Sequence, residues 1–202
     1  KAKKDNSSCI YDPVVTGYTI PSTFTFTDAS GNSTVSYSGQ AERLDQLSEM
    51  VVLMKSGTST VLSAQDVKDM FANTGGNGNG LFSFTSTKQL ENKCFSLDVP
   101  MFQTWMDELA AASVSNGITA TDGQAGTLTS GSSTYLMDAN GKEQVQLIEK
   151  GLMGALSYYQ ISENYTREAK IGSSVDNETI VDGEGTDMEH HWDEAFGYIG
   201  GN

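Results

Sequence analysis

Most side chains that could do chemistry lie in the segment that closes the chain, residues 186–202. Imidazole and carboxylate groups crowd six consecutive positions there: Glu189, His190, His191, Asp193 and Glu194. Thr186 followed three residues later by Glu189 has the spacing of a capping box, and Gly197 stands where a C-terminal cap is expected. The segment therefore predicts a short helix, over 187–196, that displays two histidines and several carboxylates.

Helical geometry separates the two histidines. At about 100° per residue, the apolar side chains of this helix fall on one face. That face consists of Met188, Trp192, Ala195, Phe196 and Ile199. His191 borders the face, with Glu194 and Tyr198 on the same edge, whereas His190 lies on the opposite, polar side. We therefore expect His191 and Glu194 to point into the interface with the rest of the protein and His190 to face solvent.

His191 and Glu194 are the candidate metal ligands. A histidine and a carboxylate three positions apart project to the same side of a helix, and helical bundles build metal sites from such pairs. Imidazole and carboxylate suit iron or zinc, but two ligands need others from a facing helix, and Glu149 is one candidate. The alternative is a packing role, in which His191 bonds a backbone carbonyl and Glu194 is solvated.

Apolar periodicity predicts where the other helices lie. Apolar residues recur at three- and four-residue steps over 39–55, 63–72, 100–114 and 141–165. Together with 187–196, these segments should place at least half of the chain in helices. The longest of them carries so wide an apolar arc that we expect it to lie between neighbouring helices.

The remaining stretches predict the domain organisation. Residues 1–38 are interpreted as a polar tether followed by an extended arm with one hairpin, and residues 39–202 as a helical bundle. The stretches 73–80 and 116–133, rich in Gly, Ser and Thr, are predicted to be mobile loops. Strand-helix alternation is absent from the sequence pattern. The expected fold is therefore all-α, a helical bundle with an extended N-terminal arm.

The net charge excludes two classes of partner. Lys and Arg number 12 against 26 Asp and Glu, a formal charge of −14 at pH 7, which repels nucleic-acid phosphates and anionic membrane surfaces. No stretch reaches the roughly 18 apolar residues of a membrane-spanning helix. The opening "KAKKDNSSC" is typical of the tether after a removed signal segment, so we expect an exported protein with a lipidated cysteine upstream of Lys1. Cys9 and Cys94 fit either one disulfide or two free thiols.

Four segments resemble a known family. They are "SGQAERLDQLSEM", "FSLDVPMFQTWMDELAAAS", "VQLIEKGLMGALSYYQ" and "MEHHWDEAFGY". Over most of residues 18–200 the chain resembles the imelysin-like lipoproteins of the Bacteroidetes type. The resemblance implies an exported, lipid-anchored, all-helical protein of two related bundles, of which 39–202 would be the first, and a distant similarity to imelysins, which are associated with iron uptake. In the imelysin signature G-x-H-x-x-E, His191 and Glu194 would supply the His and Glu, whereas Glu189 stands at the glycine position.

These inferences favour one function and leave two alternatives. The favoured one is a non-catalytic metal- or ligand-binding component in iron or nutrient uptake, beside an outer-membrane transporter, with iron or zinc at His191 and Glu194. The first alternative is a structural accessory subunit of an outer-membrane complex, in which His191 would bond a backbone carbonyl. The second is a metallopeptidase-like enzyme, which needs an open metal position and a general base near the metal-bound water.

Overall fold

The computed structural model describes residues 26–28 and 30–200 of the chain. Its main elements, in order, are α1 (Ser38–Ser56), α2 (Ala64–Ala72), α3 (Val99–Ser113), β1 (Gly126–Ser130), β2 (Ser133–Met137), α4 (Gln144–Leu152), α5 (Glu168–Ile171) and α6 (Asp187–Gly197). Two 3₁₀ turns, Thr74–Gly76 and Glu91–Lys93, and two π-helical segments, Met153–Tyr158 and Gln160–Tyr165, are also helical.

The predicted helix positions are confirmed, and the start signals act as expected. The Ser63 hydroxyl accepts a hydrogen bond from the Asp66 N–H and so caps α2. At the start of α6, Thr186 and Glu189 form a complete capping box, each side chain accepting from the other residue's backbone N–H. These caps satisfy amides that have no partner inside their helices, which is why the starts could be predicted to within a residue.

The prediction of an all-α fold is wrong, because a β-hairpin forms largely within the predicted loop 116–133. Strands β1 and β2 pair antiparallel, with Ser130 opposite Ser133 at the turn. Gly131, at φ +60°, supplies the left-handed backbone that the two-residue turn requires. The fold is mixed but mostly helical: about 49% of the described chain is helical, just short of the predicted half.

The amino-acid composition of this hairpin explains why the sequence did not predict it. Half of its strand residues are Ser or Thr, and Leu136 is the side chain that anchors it in the core, at 2% exposure. With so few buried side chains, the alternation of a half-buried strand is weak in the sequence. The Ser/Thr content therefore suggested a loop, although β-branched Thr suits a strand.

One continuous hydrophobic cluster joins the helices. Its most deeply buried side chains are Met50 and Met54 of α1, Met70 and Phe71 of α2, Phe102, Met106 and Leu109 of α3, and Ile148 and Leu152 of α4. Fully burying one such side chain stabilises the fold by roughly 1.5–3 kcal/mol. The cluster therefore fixes α1 to α4 against one another, and α6 joins it at the edge through Ala195 and Tyr198.

The predicted helix 141–165 is present from Gln144 onward, but its second half is π-helical. The carbonyl of Ala155 accepts the backbone N–H of Phe95 at 2.7 Å, so a neighbouring segment bonds directly to this wide part of the helix. Gly151 lets α3 approach, since an added Cβ would lie 2.8 Å from Phe102 Cε1. The predicted close packing is confirmed at this glycine.

The described end of the N-terminal arm forms a tight turn that leads into α1. The Asp28 carboxylate accepts the backbone N–H groups of Ser30 and Asn32, and Thr27 bridges Ser33. The arm, predicted to contain one hairpin, therefore has a turn at 28–32, whereas the tether and the first part of the arm lie outside the described residues.

Candidate functional site

Helix α6 meets the start of α1 through its small and polar side, and of the predicted apolar face Ala195 is the buried member. A Cβ added to Gly197 would lie 2.7 Å from Gln40 Cβ and 2.8 Å from Tyr37 Cβ, so glycine is what allows this approach. Trp192 and Ile199, predicted to be buried, are 52% and 72% exposed. The expected orientation of this helix is therefore wrong for Trp192 and Ile199, because close backbone approach rather than apolar area determines which side faces α1.

This orientation brings His190, not His191, beside Glu194. His190 Nε2 lies 3.7 Å from Glu194 Oε2, and both side chains are mostly buried. Both residues line a cavity between α6 and α1. Glu194 thus points inward as predicted, but the prediction that His190 faces solvent is wrong.

We call the space between the first turn of α1 and α6 the α1–α6 cavity; its volume is about 260 Å³. Residues 36–39 line it together with seven polar side chains. These are Gln40, Arg43, Lys88, Lys93, Tyr165, His190 and Glu194. Three basic side chains therefore line the cavity with one carboxylate, in a chain whose net charge is −14.

The N-terminus of α1 adds to the positive character of this cavity. Its first intrahelical hydrogen bonds run from Gln40 and Ala41 to the Tyr37 carbonyl, so the amides of Ser38 and Gly39 precede the bonded ladder. No side chain caps this end and no acidic residue occupies its first turn. The start of a 19-residue helix carries a partial positive charge that favours an anion.

Arg43 is the buried cation of the site, at 5% exposure. Its Nε donates to the Gln89 carbonyl and its Nη1 to the Gly39 carbonyl, both at 2.9 Å. Within the described residues, no carboxylate lies in salt-bridge distance of Arg43. Arg43 is therefore a buried guanidinium whose hydrogen bonds go to neutral backbone carbonyls, a costly arrangement without an opposite charge.

Lys88 and Lys93 complete the cationic group. The Lys88 side chain packs over Gly39, where an added Cβ would lie 2.7 Å from Lys88 Cε. Lys93 Nζ donates to the Tyr165 hydroxyl at 3.3 Å. Burial, and next the charge of Arg43, lower the pKa of Lys93. Burial chiefly, and the charge of Arg43 next, therefore disfavour the charged form of this lysine, and an anion in the cavity would offset both effects.

Glu194 lies opposite these cations and is held in place by α1. Its Oε1 accepts a hydrogen bond from Gln40 Nε2 at 3.0 Å. Burial, followed by the negative charge of Glu194, raises the pKa of the Tyr165 phenol, so the phenol stays protonated. The site thus combines cations with a fixed acceptor and a neutral hydroxyl.

His191 lies outside the cavity and is bonded to Lys170 through both ring nitrogens. Nδ1 lies 2.9 Å from the Lys170 carbonyl, and Nε2 lies 3.0 Å from the Lys170 ammonium. An ammonium only donates, so these contacts assign a neutral imidazole that donates from Nδ1 and accepts at Nε2. A metal on Nε2 would have to replace that ammonium.

Among the described residues, no group of three or more His, Cys, Asp or Glu side chains is arranged to hold a metal ion. Glu149, the suggested further ligand, lies near Lys55 and Lys150 instead. The metal role of His191 and Glu194, with iron or zinc, stays a prediction. Elemental analysis of native-purified protein beside a His191→Ala variant tests it, and equal metal content in the two would remove His191 as a ligand.

Cys94 is buried and forms no disulfide within the described residues, and burial raises the pKa of its thiol to about 12. A thiol with so high a pKa is a poor nucleophile at neutral pH, which favours a packing role. Cys9 lies outside the described residues, so the alternatives for this pair are untested.

Sequence reasoning missed Gln40, Arg43, Lys88 and Lys93. One signal was available: Gln40 and Arg43 fall at helical spacing with Leu47, on the side of α1 that the apolar residues mark as buried. Long polar side chains on a buried stripe usually serve a specific partner. The two lysines come from an irregular segment, whose path no local pattern predicts.

The chain matches a family model over residues 21–202; its description is "Domain of unknown function (DUF4856)". It matches no curated protein and no solved structure. The resemblance to imelysin-like lipoproteins is not tested by this match and stays a prediction. None of the described helices is long and apolar enough to cross a membrane.

Proposed function

We propose that this chain, which belongs to the DUF4856 family, is a non-catalytic binding protein that holds a small anionic ligand in the α1–α6 cavity. The ligand-binding role expected from the sequence is kept, while its location moves from His191 to the cavity beside Glu194. The observation that carries the proposal is a buried arginine, Arg43, grouped with Lys88 and Lys93 at the uncapped start of α1.

Charge placement supports an anionic ligand. Burying a guanidinium away from bulk water is costly unless hydrogen bonds or an opposite charge compensate. Here Glu194 is the one carboxylate among the lining residues, so three positive side chains keep an excess of charge inside a strongly acidic protein. An anion would supply the missing compensation, and the amides at the start of α1 would add hydrogen bonds.

Calorimetric titration of the protein with phosphate, sulfate and acetate tests this proposal. We expect at least one anion to bind, and we expect Lys93→Gln to weaken that binding. A charge-assisted hydrogen bond contributes about 1.5–3 kcal/mol, so the loss should be roughly tenfold or more. Lys88→Gln should act in the same direction.

Lys68→Gln is the matched control, because Lys68 is an equally charged residue that pairs with Asp107 at 2.6 Å and does not line the cavity. It should bind the anion as the wild type does. The proposal fails if no anion binds at millimolar concentration, or if Lys68→Gln weakens binding as much as Lys93→Gln.

The structural-subunit alternative draws support from one observation. His191 bonds the Lys170 carbonyl, as expected for a packing residue. A purely structural role predicts no ligand cavity beside α6, however, and the cationic cavity argues against it. If His191→Asn abolished assembly into a larger complex while anion binding survived, both roles would coexist on different sides of α6.

The cellular setting is a separate part of the proposal. An exported, lipid-anchored protein that works in iron or nutrient uptake beside an outer-membrane transporter is supported by the resemblance to imelysin-like lipoproteins alone. Palmitate labelling and membrane fractionation of cells that make the native protein test the anchor. Recovery of unlabelled protein in the soluble cytoplasmic fraction would contradict this setting and would leave the binding proposal intact.

A further inference from the structure

We infer that the anion held in the α1–α6 cavity is inorganic phosphate in a form that retains one proton, HPO₄²⁻. This inference rests on the proposed function and names the ligand of the same site. It follows from three features of the cavity: the excess of positive charge, the way Arg43 is bonded, and the position of Glu194.

The charge balance of the lining residues fits a dianion. Arg43, Lys88 and Lys93 bring three positive charges, and Glu194 brings one negative charge. The sum over these four side chains is two positive charges. A dianion neutralises them, whereas a monoanion leaves one positive charge in excess inside the cavity.

The bonding of Arg43 limits how it can bind a carboxylate. Arginine recognises carboxylates best through two parallel N–H groups. In Arg43 the Nε group and one hydrogen of Nη1 already donate to the carbonyls of Gln89 and Gly39, so the fork that uses Nε is taken and only N–H groups of Nη1 and Nη2 remain for a ligand. The two lysines act as point charges and accept any geometry. A compact tetrahedral oxyanion, with oxygens directed at several donors, can therefore use the remaining Arg43 N–H groups and both lysines together.

Glu194 distinguishes phosphate from sulfate. The two ions share shape and charge, but HPO₄²⁻ carries a P–O–H donor and sulfate carries none. Gln40 Nε2 donates to Glu194 Oε1 at 3.0 Å, and the Tyr165 hydroxyl also bonds this carboxylate, whose Oε2 lies 3.7 Å from His190 Nε2. A carboxylate has about four acceptor positions, so Glu194 can accept one more hydrogen bond. A carboxylate in the cavity accepts a hydrogen bond from the P–O–H group of phosphate but repels every oxygen of sulfate. It therefore favours the ion that carries a hydrogen-bond donor.

A phosphate ester is the other source of the same chemistry, and pH separates the two. A phosphomonoester loses its last P–O–H proton with a pKa of about 6, so at pH 8 it has no donor left for Glu194. Inorganic phosphate still carries one proton there. The predicted order of affinity at pH 8 is therefore phosphate first, with glycerol 3-phosphate and sulfate both weaker.

The experiment is calorimetric titration of wild-type protein at pH 8 with phosphate, sulfate, glycerol 3-phosphate and acetate. We expect phosphate to bind roughly tenfold or more tightly than sulfate, the usual effect of one lost hydrogen bond facing a charged acceptor. Equal affinities for phosphate and sulfate would overturn this inference while leaving the proposed function intact. Tighter binding of glycerol 3-phosphate would overturn the assignment to the free ion, and failure of every anion would overturn both.

Glu194→Gln gives the second test, because the amide has the same size and can donate as well as accept. We expect the ratio of phosphate to sulfate affinity to fall roughly tenfold in this variant, chiefly through tighter sulfate binding. Lys93→Gln should weaken both ions without changing their ratio. An unchanged ratio in Glu194→Gln would show that Glu194 does not accept a hydrogen bond from the P–O–H group of phosphate.

Discussion

At the scale of single residues, Asp193 is the carboxylate that joins the arm to α6. Its Oδ2 accepts the backbone N–H of Ser36 at 2.8 Å, and the residue is buried. Burial raises its pKa above the usual 3.8, although the Ser36 hydrogen bond acts in the opposite direction. The folded protein therefore binds this proton more tightly than the unfolded chain does. The stability that results is present below pH 3.8 and is lost as pH rises through the raised pKa.

Replacing Asp193 by Asn removes the buried charge and keeps an oxygen that can accept from Ser36. We expect Asp193→Asn to have a larger free energy of unfolding than wild type at pH 7, with the difference shrinking toward pH 3.8. Urea titrations across this range measure it. Asp176→Asn is the control, and it should lower the free energy of unfolding at pH 7. The reason is that hydrogen bonds from Thr179 and Glu178 lower the pKa of Asp176 to about 2. An Asp193→Asn variant less stable than wild type at pH 7 would contradict this account.

At the scale of elements, Gly151 and Gly154 lie close together in one helical stretch, and their replacement by alanine tests two different effects. One is close packing against α3, and the other is helix propensity. An added Cβ at Gly151 would lie 2.8 Å from Phe102 Cε1, whereas nothing lies within 4 Å of one at Gly154. Gly154→Ala should therefore stabilise the protein by about 0.5–1 kcal/mol, because alanine favours helix. Gly151→Ala should cost about 1–3 kcal/mol through overpacking. Urea unfolding of both variants measures the difference, and equal effects would mean that Gly151 is not in close contact with α3.

The orientation of α6 can be tested through its tryptophan. Trp192 is 52% exposed, whereas Trp105 packs against the core. In a Trp105→Phe variant, acrylamide should therefore quench the remaining fluorescence efficiently, and in Trp192→Phe it should quench poorly. Had α6 packed through its apolar face, Trp192 would be the shielded residue and the order would reverse.

Local signals predicted the helices well, because caps and periodicity act within one element. Ser63 and Thr186 start α2 and α6 as the sequence indicated. The orientation of α6 depended on another element: Gly197 allows α1 to approach, and no pattern within the helix shows that. The predicted face was apolar, yet the observed contact buries polar Asp193. Geometry between elements is therefore where the single sequence was insufficient.

The Gly-rich stretch 73–80 shows the same limit. Its composition predicted a mobile loop, but Asn73 bonds the carbonyls of Ser86 and Lys88 and accepts from Gly78 N–H. Asn73 adopts φ +49°, a left-handed conformation that asparagine tolerates better than most residues. These bonds also position Lys88 at the cavity, so the loop contributes to the site indirectly. Amide exchange measures its predicted mobility, and exchange slower than that of α4 would contradict the prediction.

At the scale of the whole molecule, the overall charge and the charge of the cavity have opposite signs. The chain carries −14, yet the lining of the α1–α6 cavity is positive. At physiological ionic strength the Debye length is about 8 Å, so a ligand at the cavity is governed by the nearest groups. The acidic surface therefore does not prevent anion binding, although it discourages polyanions such as nucleic acids.

The last prediction links this cavity to the stability of the whole chain. The cavity is formed by α1, α6 and the segment that carries Lys88 and Lys93, and α1 and α6 share one hydrophobic cluster. An anion that binds only the folded form should therefore stabilise all elements together, by about 2.7 kcal/mol at a hundred times its dissociation constant. Far-UV circular dichroism reports all helices, and Trp192 fluorescence in the Trp105→Phe variant reports α6. With phosphate present, both urea transitions should shift by the same amount and stay coincident. A shift of the Trp192 transition alone would mean that α6 unfolds separately and that the ligand holds only this helix in place, while no shift in either would contradict phosphate binding at this site.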